Sequence, residues 1–157
     1  MIQRIQTLYL LLTGICTGLL FFFPVTLIGL PVGDLGKTIW SHLYTYKYIM
    51  LESPSIPIDH NWYALSLNIA TTALAFLTIL CYKKRLLQLR LCIVNIILMI
   101  GLLVLIIIQS RQISLPAGEW HLMPVYCAPV IGIILTWLAA HGILKDITLL
   151  KSYDRIR

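Results

Sequence analysis

"LCIVNIILMIGLLVLIIIQS", residues 91–110, contains no Asp, Glu, Lys or Arg. An α-helix rises about 1.5 Å per residue and the hydrocarbon core of a bilayer is about 30 Å thick, so a run of about 20 apolar residues is a membrane span. The run does not alternate apolar with polar, which excludes a strand of a membrane barrel, the other way of satisfying backbone groups in lipid. Working outward, the same absence of charge recurs over residues 5–33, 60–82 and 120–144. The pattern predicts an all-α membrane protein with four transmembrane helices, near residues 7–30 (at the least Thr7–Phe23), 62–82, 91–108 and 125–144. These form one domain over residues 1–157, with outer loops at about 31–61 and 109–123 and a tail at 145–157. The first window reads as a permanent helix rather than a cleaved signal, because no small-x-small site follows it. Cys16 is preceded by Ile15, where a lipoprotein signal needs a small residue.

Composition agrees: 59% of residues are hydrophobic and 11% charged, against about a quarter charged in soluble domains. The net charge of +6 does not point to nucleic acid, whose binders are polar and carry their cations on an exposed face. The distribution of cations explains it instead. Arg4, Lys83, Lys84, Arg85, Arg90, Lys145, Lys151, Arg155 and Arg157 fall on one side of a four-span arrangement, and Lys37, Lys47 and Arg111 on the other. Short cytoplasmic connections carry the positive excess. Both termini and the turn "YKKRLLQLRLC" (82–92) are therefore expected inside, where the main job of the turn is to set topology; contact with anionic headgroups or an acidic partner is the alternative.

Helices in lipid associate through small residues and interhelical hydrogen bonds. Gly14 and Gly18 (with Thr13 and Thr17), Gly132, Thr136 and Ala140, and Ser66, Ala70 and Ala73 are the stripes expected to face the bundle. Asn68 and Asn95 lie inside spans at different depths, where each amide is expected to bond a neighbouring helix. With no charge inside any span, proton- or ion-coupled transport lacks its usual groups. Trp62, Tyr63, Trp120 and Tyr126 suit one interface and Tyr9 and Tyr82 the other. Pro24 is expected to kink or end the first helix.

In the first outer loop, "TIWSHLYTYKYIML" alternates so that Trp40, His42, Tyr44, Tyr46, Tyr48 and Met50 share a face, as in a strand. The second loop offers a short run at Gln112–Leu115, a turn and an aromatic run, so the two loops together predict a small antiparallel cap. Cys16, Cys81, Cys92 and Cys127 lack the close pairing of thiol oxidoreductases and read as free thiols. The four histidines are placed wrongly for bis-histidine haem. His60 and His121, with Asp59 or Glu119, make only a weak metal cluster, and no cofactor is expected. No phosphate-binding glycine loop or nucleophile motif is present.

"MIQRIQTLYLLL", "YKKRLLQLRLCIVN" and "KDITLLKSYDRIR", in this order, resemble an uncharacterised four-helix inner-membrane family of Bacteroidota, the domain-of-unknown-function family number 4293. The resemblance spans essentially the whole chain. It implies a bacterial inner membrane and brings no catalytic residues. Its motif residues Arg4, Gln88, Arg90, Asn95, Asp146, Asp154, Arg155 and Arg157 would gather at the cytoplasmic face. The expectation is a non-enzymatic accessory or structural subunit, partnered by lipids and other membrane subunits. The alternative is a small lipid- or quinone-binding protein or enzyme. Candidate contacts for lipid or partner are Lys83, Lys84, Arg85, Gln88, Arg90, Asp146, Asp154, Arg155 and Arg157. The last helix is expected to continue past Gly142, with Asp146 or Asp154 paired to Arg85 or Arg90.

Overall fold

Pro24 decides where the first helix stops. A proline disfavours the α conformation in the residue before it, and in the computed structural model α1 runs over Ile2–Phe22. Its last turn closes with the Phe23 N–H donating to the Leu19 carbonyl at 3.1 Å. The apolar residues that follow form a strand, β1 (Thr26–Val32), so the span does not extend to residue 30. The structure describes residues 2–32, 37–45, 48–50, 62–82, 84–114 and 119–154.

Three further long helices follow: α2 (Trp62–Leu80), α3 (Arg85–Ser114) and α4 (Ala128–Asp154), the last entered through a 3₁₀ turn at Pro124–Cys127. All four are long and apolar enough to cross a membrane. The turn between α2 and α3 is tighter than the expected one. Lys84 N–H donates to the Cys81 carbonyl at 3.0 Å and Gln88 N–H to the Lys84 carbonyl at 3.0 Å. Most of "KKRLLQLR" is therefore the first turns of α3, which begins at Arg85 rather than Leu91. Leu, Gln and Arg are good helix formers and nothing between them breaks the helix. At its other end α3 continues beyond Ile108 to Ser114, so Gln112–Ser114 is helix and not strand.

Contacts between named residues set the arrangement. Gly14 faces Phe76, Gly101 faces Leu67, and Gly132 faces Met99 and Thr13. Thr13 meets Thr136, while Thr17 meets Thr72. Each helix is antiparallel to the next, and α4 closes the square against α1. At the end bearing the α2–α3 turn the core is Leu10, Cys92, Ala139, Ala140 and Ile143, and Ile147 packs against it. Past Gly142, Ile143 and Ile147 are thus covered within the chain, while Leu144 and Leu149 stay exposed. At the opposite end the core is Leu20, Val25, Leu102, Ile106 and Ala128. Between these two clusters the buried hydroxyls of Thr13 and Thr136 join α1 to α4, and that of Thr17 joins α1 to α2 through Thr72. Outward-facing Phe22, Ile97 and Ile134 are exposed, the surface expected of helices solvated by lipid.

The remaining elements are β2 (Lys37–Leu43), β3 (Tyr48–Met50) and β4 (Glu119–Leu122). With β1 they make one antiparallel sheet in the order β3-β2-β1-β4. The molecule is thus a helical bundle with a sheet at one end, not strictly all-α. The expected single aromatic strand is instead two strands, because the chain turns between Leu43 and Tyr48, and Leu43 pairs with Tyr48. β4 pairs with β1, Thr26 opposite Leu122, and Met123 N–H donates to the Val25 carbonyl at 3.1 Å. The sheet therefore ties the α1–α2 connection to the α3–α4 connection. Thr45, buried, donates its hydroxyl to the Leu20 carbonyl at 3.1 Å, satisfying an orphan acceptor at the end of α1.

Candidate functional site at the turn end of the bundle

At the end of the bundle bearing the α2–α3 turn, three helices bring polar side chains together. Asp146 on α4 is 7% exposed. Its Oδ2 accepts from Gln6 Nε2 of α1 at 3.0 Å and lies 3.4 Å from Arg85 Nη1 at the start of α3. Gln6 and Gln88 are buried as well. Gln6, Thr7, Tyr82, Arg85 and Gln88 line a cavity of about 20 Å³, room for one water by the usual measure. Gly142, one turn before Asp146, makes the close approach possible: a Cβ there would lie 3.1 Å from both Cγ and Nε2 of Gln6. Arg85 keeps 30% of its side chain exposed, so the ion pair opens to the surroundings on one side. The arrangement clamps α1, α3 and α4 together.

The nine residues named from the sequence therefore divide. Arg85, Gln88 and Asp146 lie together in or beside the clamp, with Gln88 and Asp146 turned inward. Lys84 and Arg90 are exposed. Asp154 is the last residue of α4. Lys83, Arg155 and Arg157 lie outside the described residues.

The packing stripes divide too. Gly14, Gly132, Thr136 and Ala140 are buried at helix contacts. Gly18 is not at a close approach, since a Cβ there would meet nothing within 4 Å. Ser66 and Ala73 are exposed. The buried face of α2 is instead Ala64, Asn68, Thr71, Ala75 and Thr78. Ser66 can face outward because its hydroxyl donates to the Tyr63 carbonyl at 2.9 Å.

Two corrections concern polar groups in the spans. Asn68 and Asn95 are fully buried, but neither bonds a neighbouring helix: all four side-chain amide atoms are without a partner. Threonines supply the interhelical bonds instead. Thr72 Oγ1 lies 3.1 Å from Thr17 Oγ1, and Thr13 Oγ1 lies 3.4 Å from Thr136 Oγ1. Each also reaches a carbonyl of its own helix, as Thr136 does at Gly132 at 2.7 Å.

The outward face of α4 carries a feature the sequence reading left unassembled. Trp137, 59% exposed, stacks on His141 with ring centroids 5.8 Å apart and planes 19° from parallel. Lys145, also exposed, follows one turn on. The i, i+4, i+8 spacing was the available signal.

Cys16, Cys81, Cys92 and Cys127 are free thiols. Among the described residues no three His, Cys, Asp or Glu side chains converge on a metal position. His60 and Asp59, half of the weak cluster considered above, lie outside the described residues. A family model described as a domain of unknown function, DUF4293, matches residues 2–156. No curated protein matches the chain.

Proposed function

We propose, from the premise that the chain belongs to the DUF4293 family of unknown function, that it is a multi-pass bacterial inner-membrane protein serving as a non-enzymatic accessory or structural subunit of a larger membrane complex. In this reading both termini and the α2–α3 turn face the cytoplasm and the sheet faces outward. The outward stripe Trp137–His141–Lys145 on α4 supports it most directly. An imidazole presents polar nitrogens that hydrocarbon cannot satisfy, and ionisable residues within spans normally face protein or water. Here His141 faces away from its own bundle, inside a helix segment apolar enough to span a membrane. Trp137 beside it is a large, rigid surface of the kind that anchors interfaces. A transmembrane helix of another subunit, offering a hydroxyl, amide or carboxylate to His141, satisfies both. Meanwhile the carboxylate of Asp146 and the amide of Gln6 bond each other within the chain, which suits a role in holding shape.

Photo-crosslinking in intact membranes tests this. A crosslinker at Trp137 or His141 is expected to capture one discrete protein, and the same group at Ile97, 62% exposed on α3, is expected to capture only lipid. Identical lipid-only products from all three positions remove the subunit reading.

A further inference from the structure

Beside the α2–α3 turn lies a groove of about 500 Å³ lined by Leu80, Cys81, Tyr82, Lys84 and Leu87. Its size falls within the range of small-molecule sites, about 300–1,000 Å³. Its lining is divided by chemistry, with Leu80 and Leu87 offering apolar walls and Lys84 an ammonium. The divided lining matters because of where the groove is. Leu80 is the last residue of α2 and Leu87 lies in the first turn of α3, so the apolar walls continue directly from two helices able to span a membrane. Leu86, exposed at 62%, extends that apolar surface beyond the groove.

The electrostatics are one-sided. Asp146, the acid at the turn among the described residues, is already engaged by Arg85 and Gln6. Lys84 is exposed and has no acidic partner among the described residues, and in sequence it stands between Lys83 and Arg85. The occupant must therefore bring both a negative charge and apolar surface, and must arrive from the bilayer.

The geometry points to a binding site for one anionic phospholipid, its phosphate on Lys84 and the upper part of an acyl chain along Leu80 and Leu87. This goes beyond a diffuse attraction of basic residues to the membrane, because it assigns one lipid to one groove. It is also independent of the partner stripe, which lies on α4.

The test is native mass spectrometry of the full-length protein released from detergent, with phosphatidylglycerol or phosphatidylcholine added. One phosphatidylglycerol per chain is expected to survive release, with phosphatidylcholine largely lost. Lys84→Gln is expected to lower the phosphatidylglycerol-bound fraction about fivefold, the effect of one charge near a membrane surface. Arg90→Gln removes the same charge from an exposed position on α3 outside the groove lining, and should leave binding near wild type. Leu87→Trp, which fills the groove, should lower binding with the charge intact. Circular dichroism of each variant checks that the helices persist. Equal losses for Lys84→Gln and Arg90→Gln would mean diffuse charge only and overturn the site. So would equal retention of phosphatidylcholine, no lipid retained by the wild type, or displacement by glycerol phosphate lacking acyl chains.

Discussion

Asp146 keeps a carboxylate inside the protein because donors from two other helices reach the same oxygen, Gln6 at 3.0 Å and Arg85 at 3.4 Å. Removing one partner of such a pair costs far more than removing both, since the survivor is left desolvated without compensation. Arg85→Met should therefore destabilise the purified protein by ~1–3 kcal/mol, discounted from the fully buried case because the guanidinium is partly exposed. Adding Asp146→Leu should recover part of that loss, the rest being the buried Gln6 amide left without its acceptor. Thermal unfolding in detergent reads both, and a double variant no more stable than the single would show that the ion pair is incidental. The asparagines argue in the opposite direction. Asn95 and Asn68 bury amides that bond nothing, and an unsatisfied buried polar group costs ~1–3 kcal/mol. Asn95→Leu, close to it in volume, should thus leave the unfolding midpoint unchanged or raise it. A clear drop would reveal a partner for that amide.

Helices report on themselves through what their glycines touch. At Gly132 an added side chain meets Met99 Sδ at 3.1 Å, and Met99 is fully buried, so it must repack within the core. At Gly14 it meets the Phe76 ring at 3.1 Å, but Phe76 is 47% exposed and can swing outward. At Gly18 it meets nothing within 4 Å. Leucine at these positions should destabilise in the order Gly132 > Gly14 > Gly18, the first by ~1–3 kcal/mol as overpacking does and the last hardly at all. Equal tolerance in SDS-induced unfolding would sink this account of how α1, α2 and α4 approach. The same comparison shows what sequence could and could not say. Long charge-free runs and Pro24 made the helices legible, since length and solvation alone require them. The continuation of α4 past Gly142 was legible from Ile143 and Ile147 at helical spacing. The phase of α2 was not. Small residues occupy both faces of that helix, and the buried one is marked by Asn68, Thr71 and Thr78 rather than by Ser66 and Ala73. β1 was missed because "TLIGLPV" is a short apolar run whose periodicity cannot separate strand from buried helix. At the site, Arg85 with Asp146 was foreseeable from charge near one bundle end. Gln6, 140 residues from Asp146 in sequence, carried no such signal.

The whole molecule has two unlike ends. One carries the α2–α3 turn and the Gln6–Asp146–Arg85 clamp, the other the sheet. Pairing of β1 with β4 holds the α1–α2 and α3–α4 connections on the same side, as helices that cross in alternating directions require. What remains is which end faces inward, for which the sequence supplies a charge asymmetry, nine cations in segments expected on the turn side against three in those expected on the sheet side. Cations in short connections resist translocation, so the turn end should be cytoplasmic. A reporter active only after export, fused after Ile56 or after Ala117, should be active, and a reporter active only in the cytoplasm should be silent at both. The bias also predicts its own weakening. Replacing Lys83, Lys84, Arg85 and Arg90 with glutamine leaves five cations against three, a margin small enough for a mixed population. The export-dependent reporter at Ile56 should then lose part of its activity while total protein in the membrane stays the same. Full activity in that variant would mean that the turn cations do not set the topology and are free to serve lipid or partner alone. Activity of the cytoplasmic reporter in the unmodified protein would invert the orientation altogether, placing the sheet inside.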